Sequence, residues 1–304
     1  MVERVDRRNR IYFHADDYGV SPDQAARILT CHAKGVLNSI SVIPNAFQIE
    51  ECRALLEKED AENKIRRVLH LNFVEGRPLA EKKQVDMLID SAGYFSCSFI
   101  QLLKWNYTQR GKKREKLKSQ LKAEIRAQLR RVTQESDYRI TAIDSHQHYH
   151  MIPIVMESLL EVLREEMVDV EEIRIPVDPL LPLLQTPAVW FKVPIINWIK
   201  WAILWFHSAK CRKLLKKNDI CSPVFFGIFF TCEMKKDVVE KLLPKYKKYA
   251  KKKKEALELM FHPGNLTRHL ELLDERNEQL EHFYMSENRF LEAECLIQMK
   301  NRCE

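Results

Sequence analysis

Carboxylates and imidazoles stand at the ends of short apolar segments at several distant points of this sequence. Two aspartates end the segment IYFHADD, and a histidine ends RRVLH. Three histidines at alternate positions follow ITAID, and another follows ALELMF. The complete set is Asp16, Asp17, His70, His146, His148, His150 and His262. Carboxylate oxygens and imidazole nitrogens bind divalent metals and transfer protons, so this set is typical of a hydrolytic metal site.

These residues differ in how strongly each one indicates chemistry. Adjacent aspartates such as Asp16 and Asp17 are more often a helix cap or a turn. A lone histidine such as His70 is more often a packed or surface side chain. The string DSHQHYH (144–150) is more specific, because three imidazoles beside a carboxylate are costly to assemble for packing alone. It favours metal binding or acid–base catalysis over a structural role.

Two further residues are candidates because of their sequence neighbours. Pro263 and Gly264 follow His262 and enforce a turn that would expose the imidazole at the rim of a pocket. Arg174 ends another short apolar segment, where it is either a surface ion-pair partner or an anchor for substrate. We expect Arg174 to bind substrate.

Seven short segments rich in Val, Ile and Phe are predicted strands, and helical patterns lie between them. The strands are predicted near residues 10–15, 38–44, 67–73, 140–144, 172–176, 224–230 and 257–261. Helices are predicted after Ser21-Pro22 and over 114–135, 154–167, 236–254 and 286–299. Alternating strands and helices indicate parallel strands with helices outside. We therefore expect one domain over residues 1–304, an irregular (β/α) barrel of about seven parallel strands with its site at their carboxyl ends.

One tryptophan-rich segment departs from this alternation. Residues 188–206, AVWFKVPIINWIKWAILWF, hold four of the five tryptophans. Two lysines, a proline and an asparagine interrupt the segment, so it is a poor transmembrane span. It is a buried lid, a homodimer face or a helix at a membrane interface, and we rank the packing interpretations first. We expect residues 180–223 to form a lid or insertion that carries it.

Composition excludes several classes of function. Glycine occurs only 7 times, and neither GxGxxG nor GxxxxGK[ST] is present, which argues against glycine-rich phosphate loops. The eight cysteines form no CxxC pair, so we expect reduced thiols in a cytoplasmic protein. The N-terminus lacks the apolar stretch of a signal peptide. The basic stretches 110–122 and 245–254 are interpreted as solvated helix faces, and no nucleic-acid partner is expected.

Six strings, taken together, resemble the YdjC-like carbohydrate deacetylase family. They are HADDYG (14–19), LNSISVIPN (37–45), HLNFVEG (70–76), DSHQHYHMIP (144–153), RIP (174–176) and MFHPGN (260–265). They follow the family's order over most of the chain. The resemblance implies a (β/α)-barrel-like fold and removal of an N-acetyl group from an amino sugar with a divalent metal.

The resemblance also implies roles for individual residues. It assigns metal binding to Asp17, His70 and His146, the general base to Asp16 and the acid side of the reaction to His262. We further expect substrate contacts from Tyr18, His148 and His150 together with Arg174, although His148 or His150 could instead orient a metal ligand. His14 stands where many relatives carry Asn, and Gln147 where some carry His. Neither is a ligand position.

The metal and the substrate class remain open at this point. One carboxylate and two imidazoles suit zinc, manganese, iron or cobalt, whereas the resemblance favours magnesium. The alternatives to an amino-sugar deacetylase are a deacetylase of lipid-linked or membrane-proximal sugars, a non-catalytic metal- or sugar-binding module, and a metal-dependent phosphoesterase. Adjacent Asp16 and Asp17 speak against a pure binder, because a binder needs no base beside its ligand.

Overall fold

A computed structural model of the chain describes residues 9–133, 140–266, 273 and 278–300. Its seven strands are β1 (Ile11–Tyr18), β2 (Ser39–Val42), β3 (Arg66–Leu71), β4 (Ala142–Ser145), β5 (Glu172–Ile173), β6 (Val224–Phe226) and β7 (Leu257–Phe261). Its helices are α1 (Pro22–Ala33), α2 (Ile49–Glu59), α3 (Phe99–Thr108), α4 (Gly111–Thr133), α5 (Pro153–Glu165), α6 (Leu180–Leu184), α7 (Ile195–Lys217), α8 (Lys236–Lys253), α9 (Glu278–Tyr284) and α10 (Glu287–Gln298).

The strands form one curled parallel sheet in the order β5-β4-β3-β2-β1-β7-β6. The two edges of this sheet meet beside Cys221. The amide of Ile173 donates to the carbonyl of Cys221 at 3.0 Å, and the amide of Cys221 donates to that of Glu171 at 3.0 Å. This narrow contact joins β5 to the segment that precedes β6. The prediction of an irregular (β/α) barrel with about seven parallel strands is confirmed.

The strands and helices that the sequence predicted correspond to elements of the structure. Each predicted strand overlaps an observed strand, because segments buried on both faces of a parallel sheet are continuously apolar. Ser21 begins α1: its hydroxyl accepts a hydrogen bond from the amide of Gln24 at 3.2 Å, and Pro22 occupies the first turn. The predicted helix 114–135 corresponds to α4, and its residues 134 and 135 lie outside the described part, as do residues 1–8.

The basic face of α4 is covered by acidic side chains of α5. Arg114 pairs with Glu157 at 3.1 Å, and Lys118 and Lys122 both pair with Glu161. These pairs connect two helices that pack side by side on the outside of the sheet. They give Arg114, Lys118 and Lys122 a role in the packing of the two helices, in addition to the solvated face that the sequence predicted.

Residues 180–217, within the predicted lid or insertion, are almost entirely helical. Helix α6 is followed by a 3₁₀ turn over Pro187–Lys192 and then by α7. Among the helices that the structure describes, none combines the length and apolar character needed to cross a membrane. The outer face of this segment is nevertheless rich in exposed apolar side chains, and α7 packs on the barrel through its other side.

Candidate functional site

Strand β1 ends in a distortion that directs two adjacent carboxylates into the barrel. Asp17 has φ of 64°, in the left-handed region that aspartate tolerates better than most residues. The pairing of β1 with β2 also shifts register between Ala15 and Tyr18. This bulge breaks the alternation of a regular strand, so Asp16 and Asp17 are both buried in the interior instead of pointing to opposite faces.

Asp17, His70 and His146 form a compact cluster at the carboxyl ends of β1, β3 and β4. One potential ligand atom from each lies within 4.8 Å of the other two. Asp17 Oδ1 is 2.9 Å from His146 Nδ1 and 3.5 Å from His70 Nε2. His70 Nε2 is buried without a hydrogen-bond partner. A buried carboxylate, two imidazoles and an unpartnered nitrogen aimed into the cluster fit a divalent cation.

Asp144 orients one of these imidazoles. Its Oδ1 lies 2.6 Å from His70 Nδ1, so the opposite nitrogen of the ring is turned toward Asp17. Ser41 also donates its hydroxyl to Asp144. A carboxylate behind a histidine is the usual support for an imidazole that binds metal, because it fixes the tautomer and raises the basicity of the ring.

The electrostatics of the cluster show how strongly it attracts positive charge. Burial disfavours the charged form of every member, yet the opposite charges outweigh this cost. The pKa of Asp17 lies well below its usual range because of His146. Carboxylates raise the pKa of His70, chiefly through Asp144, to about 10, and that of His146, chiefly through Asp17, to about 9. At neutral pH both imidazoles are therefore protonated, and their positive charges balance the carboxylates as a bound cation would.

Asp16 lies beside this cluster and is held by Arg174. The two side chains form a double hydrogen bond, with both N–O distances at 2.8 Å. Arg174 also pairs with Asp144 at 2.7 Å and with Glu258. Burial opposes ionisation of Asp16, but Arg174 outweighs it and keeps the pKa of Asp16 well below its usual range. The buried guanidinium supports the carboxylates from behind, and its predicted contact with substrate remains a prediction.

His262 completes the group around Asp16. Its Nε2 lies 4.0 Å from Asp16 Oδ2, and its Nδ1 lies 3.9 Å from Glu292 Oε2. Burial is the main effect on His262 and lowers the pKa of its imidazole to about 4. The turn after β7 therefore places a neutral imidazole near Asp16. His262 is buried, with 7% of its surface exposed, whereas the Pro-Gly pattern predicted an exposed imidazole at the rim of a pocket.

The three remaining sequence candidates lie in different environments. Tyr18 is fully buried, and its hydroxyl donates to the carbonyl of Cys52 at 2.6 Å, on the side of α2. Both ring nitrogens of His150 are engaged, Nδ1 with Ser145 Oγ at 2.6 Å and Nε2 with the carbonyl of Arg174 at 2.8 Å. These two side chains support the scaffold, and the structure does not bring them to the cluster. His148 is partly exposed, and its Nδ1 has no hydrogen-bond partner.

Several residues of the site were not selected from the sequence. On α10, Arg289 places Nη2 3.1 Å from Asp17 Oδ2, and its guanidinium lies over the rings of Phe283 and Tyr284. Glu75 Oε1 lies 3.1 Å from His146 Nε2. Glu75 and Asp144 stand inside the strings HLNFVEG and DSHQHYH, which could have identified them. Arg289 carries no comparable local signal.

The fold and this cluster define a parallel (β/α) barrel with a candidate metal site at the carboxyl ends of its strands. A family model described as YdjC-like protein matches residues 10–300. The chain belongs to the YdjC-like protein family, as the six strings indicated.

Known proteins with similar sequence or structure agree with this assignment. The chain is 27% identical over 177 residues to a carbohydrate deacetylase of Xenopus laevis, covering 57% of this chain and 53% of the relative. It is 26% identical over 160 residues to a carbohydrate deacetylase of Homo sapiens, covering 52% and 46%. The matched region spans about half the length of these curated relatives. A crystal structure described as a cellobiose-phosphate cleavage protein from Enterococcus faecalis V583 shares the fold, with a TM-score of 0.61, 18% identity, and coverage of 95% of this chain and 90% of that one.

Proposed function

We propose that this protein is a metal-dependent deacetylase that removes the N-acetyl group from an amino sugar or a short oligosaccharide. The observation that carries the proposal is the convergence of Asp17, His70 and His146 within 4.8 Å, with Asp16 adjacent in the chain. The curated relatives named carbohydrate deacetylases support the choice of substrate class.

The metal is assigned to the three side chains of the cluster. Asp17, His70 and His146 would hold it, with Asp144 behind His70. When bound, a divalent cation supplies a Lewis acid that polarises the acetyl carbonyl and lowers the pKa of the attacking water. Magnesium is the proposed ion from the family resemblance and would need additional water ligands, whereas the two imidazoles also suit zinc, manganese, cobalt and iron.

Asp16 is the proposed general base. Arg174 holds its carboxylate in one orientation and in the ionised form, so the side chain is ready to accept a proton across the physiological pH range. Arg174 acts through Asp16 in this account and is a positioning residue. The low pKa makes Asp16 a weak base, which holds a proton only briefly and passes it onward.

His262 is the proposed route for the proton to the leaving amine. Its imidazole is neutral, because burial lowers its pKa to about 4, and its Nε2 lies 4.0 Å from Asp16 Oδ2. We propose that the proton taken from the attacking water passes from Asp16 to His262 through a bridging water, because the two side chains are 4.0 Å apart. The proton then moves from His262 to the amine nitrogen as the C–N bond breaks. This route needs no protonated histidine before substrate binds.

The experiment that tests the function is acetate release from a panel of N-acetylated sugars. Protein stripped of metal is resupplied with single ions and assayed with N-acetylglucosamine, its short oligomers and a lipid-linked acetylamino sugar. Metal-dependent acetate release from any member supports the deacetylase and identifies its substrate class. Metal binding without acetate release from any member would contradict the proposal and favour a non-catalytic binding module or a different acyl substrate.

A further inference from the structure

A continuous apolar surface covers helix α6, the 3₁₀ turn after it and the first half of α7, and we call it the α6–α7 surface. Eleven of the eighteen large apolar side chains that are exposed in the described part of the chain lie between residues 180 and 206. Phe191 is 98% exposed and Ile195 is 81% exposed. Such a concentration on one side of a folded chain is typical of an interaction surface.

One side of α7 packs on the barrel and fixes the orientation of the helix. The apolar residues on its other side are therefore surface residues. A narrow seam faces the barrel, and its buried or partly buried residues are Asn197, Trp201, Leu204, His207, Ser208, Cys211 and Leu215. Asn197 donates to the carbonyl of Phe229 at 3.1 Å, and the Trp201 indole donates to that of Asp178 at 2.9 Å. Helix α7 is therefore anchored to the barrel, while its outward positions before residue 207 are apolar except for Lys200.

The charge on this segment selects the kind of partner. Residues 180–217 contain no Asp or Glu and seven basic residues, Lys192, Lys200, Lys210, Arg212, Lys213, Lys216 and Lys217. Lys192 pairs with Asp237 and Lys210 with Glu157. The other five are exposed, and four of them project from the second half of α7. An apolar face bordered by lysine and arginine is complementary to a bilayer surface with anionic headgroups.

A second copy of the chain fits this surface less well. In a twofold dimer the same patch meets itself, so the basic groups of each copy would meet a surface that offers no acidic partner from the same segment. No acidic side chain within residues 180–217 could balance them. A bilayer with anionic lipids satisfies both the apolar and the charged parts of the surface.

The surface lies on the same side of the barrel as the candidate active site. Helix α6 begins a few residues after Arg174, at the carboxyl end of β5. The seam of α7 reaches the turn that carries His146 and His148, where the Cys211 thiol lies 3.6 Å from the carbonyl of Met151. Contact with a bilayer through this surface would therefore bring the site close to the lipid headgroups.

We propose that the α6–α7 surface docks this protein onto anionic lipid bilayers, with the apolar half of α7 inserted into the interface and its basic half against the headgroups. This docking does not depend on the reaction that the site catalyses.

The test is flotation of the full chain with vesicles of phosphatidylcholine, with and without phosphatidylglycerol. We expect binding to the anionic vesicles that weakens with salt. Because four of the five tryptophans lie in this segment, their emission should shift to shorter wavelength on binding. The double variant Phe191→Ser/Ile195→Ser should bind at least about tenfold more weakly. The matched control is Phe47→Ser, at a phenylalanine 96% exposed outside the segment, and it should bind like the parent.

A second variant tests the contribution of the basic second half of α7, which borders the α6–α7 surface. Arg212→Glu/Lys213→Glu should lose binding to anionic vesicles and leave any weak binding to phosphatidylcholine unchanged. Absence of flotation with anionic vesicles would overturn the proposal. Light scattering gives a second outcome that would overturn it. If the protein does not float and is a dimer that Phe191→Ser/Ile195→Ser breaks, a second copy of the chain covers the surface.

Discussion

At the scale of single residues, two adjacent aspartates of the site contact different partners. The left-handed backbone of Asp17 sends its carboxylate to His70 and His146, whereas Asp16 meets Arg174. A regular strand would separate these side chains onto opposite faces. One distorted residue therefore places neighbouring carboxylates in a single pocket with different partners, as the proposed roles in metal binding and proton transfer require.

Asp144 provides a residue-scale prediction about metal affinity. Asp144→Asn replaces the charged partner of His70 Nδ1 with a neutral amide and makes the imidazole a poorer ligand. We expect metal affinity to fall by about 10–100-fold, as is usual for the support behind a ligand histidine. Isothermal titration calorimetry measures it. Asp86→Asn, at a surface ion pair with Lys116, is the control and should bind metal like the parent. Equal affinities in all three proteins would disprove this role of Asp144.

At the scale of elements, charged side chains inside the barrel connect strands that are far apart in sequence. Glu258 on β7 contacts Arg66 on β3 at 3.2 Å and also Arg174, which follows β5. All three side chains are largely buried. The interior of this barrel is thus closed partly by ion pairs that also reach Asp16.

This network predicts a large loss of stability when one carboxylate is removed. Glu258→Gln leaves two buried guanidinium groups short of a partner, and we expect it to lower the free energy of unfolding by about 3–5 kcal/mol. Glu81→Gln is the control, because Glu81 pairs with Lys83 at the surface and such pairs contribute less than about 1 kcal/mol. Urea unfolding compares the two variants, and similar losses in both would show that the network adds no stability.

The extent to which the sequence predicts the site also differs from one element to another. The ends of β1, β3 and β4 could be predicted, because apolar segments followed by Asp or His locate both a strand and its functional end. Helix α10 could also be predicted, over residues 286–299. The contact of its Arg289 with Asp17 could not, because Arg289 reaches Asp17 only through the folding of the whole chain. Tyr18 belongs to the string HADDYG, yet the bulge in β1 turns its side chain toward α2. Local patterns define strand ends, whereas the direction of each side chain there depends on bulges and on distant elements.

At the scale of the whole molecule, the site links metal, protons and folding. The pKa values of His70 and His146 are raised to about 10 and about 9, from the usual value of about 6.5 for histidine. A histidine with a raised pKa adds stability below its unfolded pKa, and this contribution is lost as pH rises through the folded value. The protein without metal should therefore lose stability between about pH 6.5 and 10, and bound metal should reduce this loss.

The same linkage predicts proton release on metal binding. Ligand imidazoles must be neutral, so binding near neutral pH should release up to two protons, and affinity should rise as pH increases toward about 9. Calorimetry in buffers with different ionisation enthalpies counts the protons. An affinity that is constant from neutral pH to pH 9, with no proton release, would show that the imidazoles are not the ligands.

The most direct test of the account as a whole compares metal binding and turnover in one variant, Asp16→Asn, against His146→Ala. Asp16→Asn removes the proposed base and leaves Asp17, His70 and His146 in place. We predict that it binds metal like the parent while acetate release falls by about 10²–10⁴-fold, the usual contribution of a general base. His146→Ala should lose both properties. Near-normal acetate release by Asp16→Asn with metal bound would contradict the assignment of the base and the mechanism built on it.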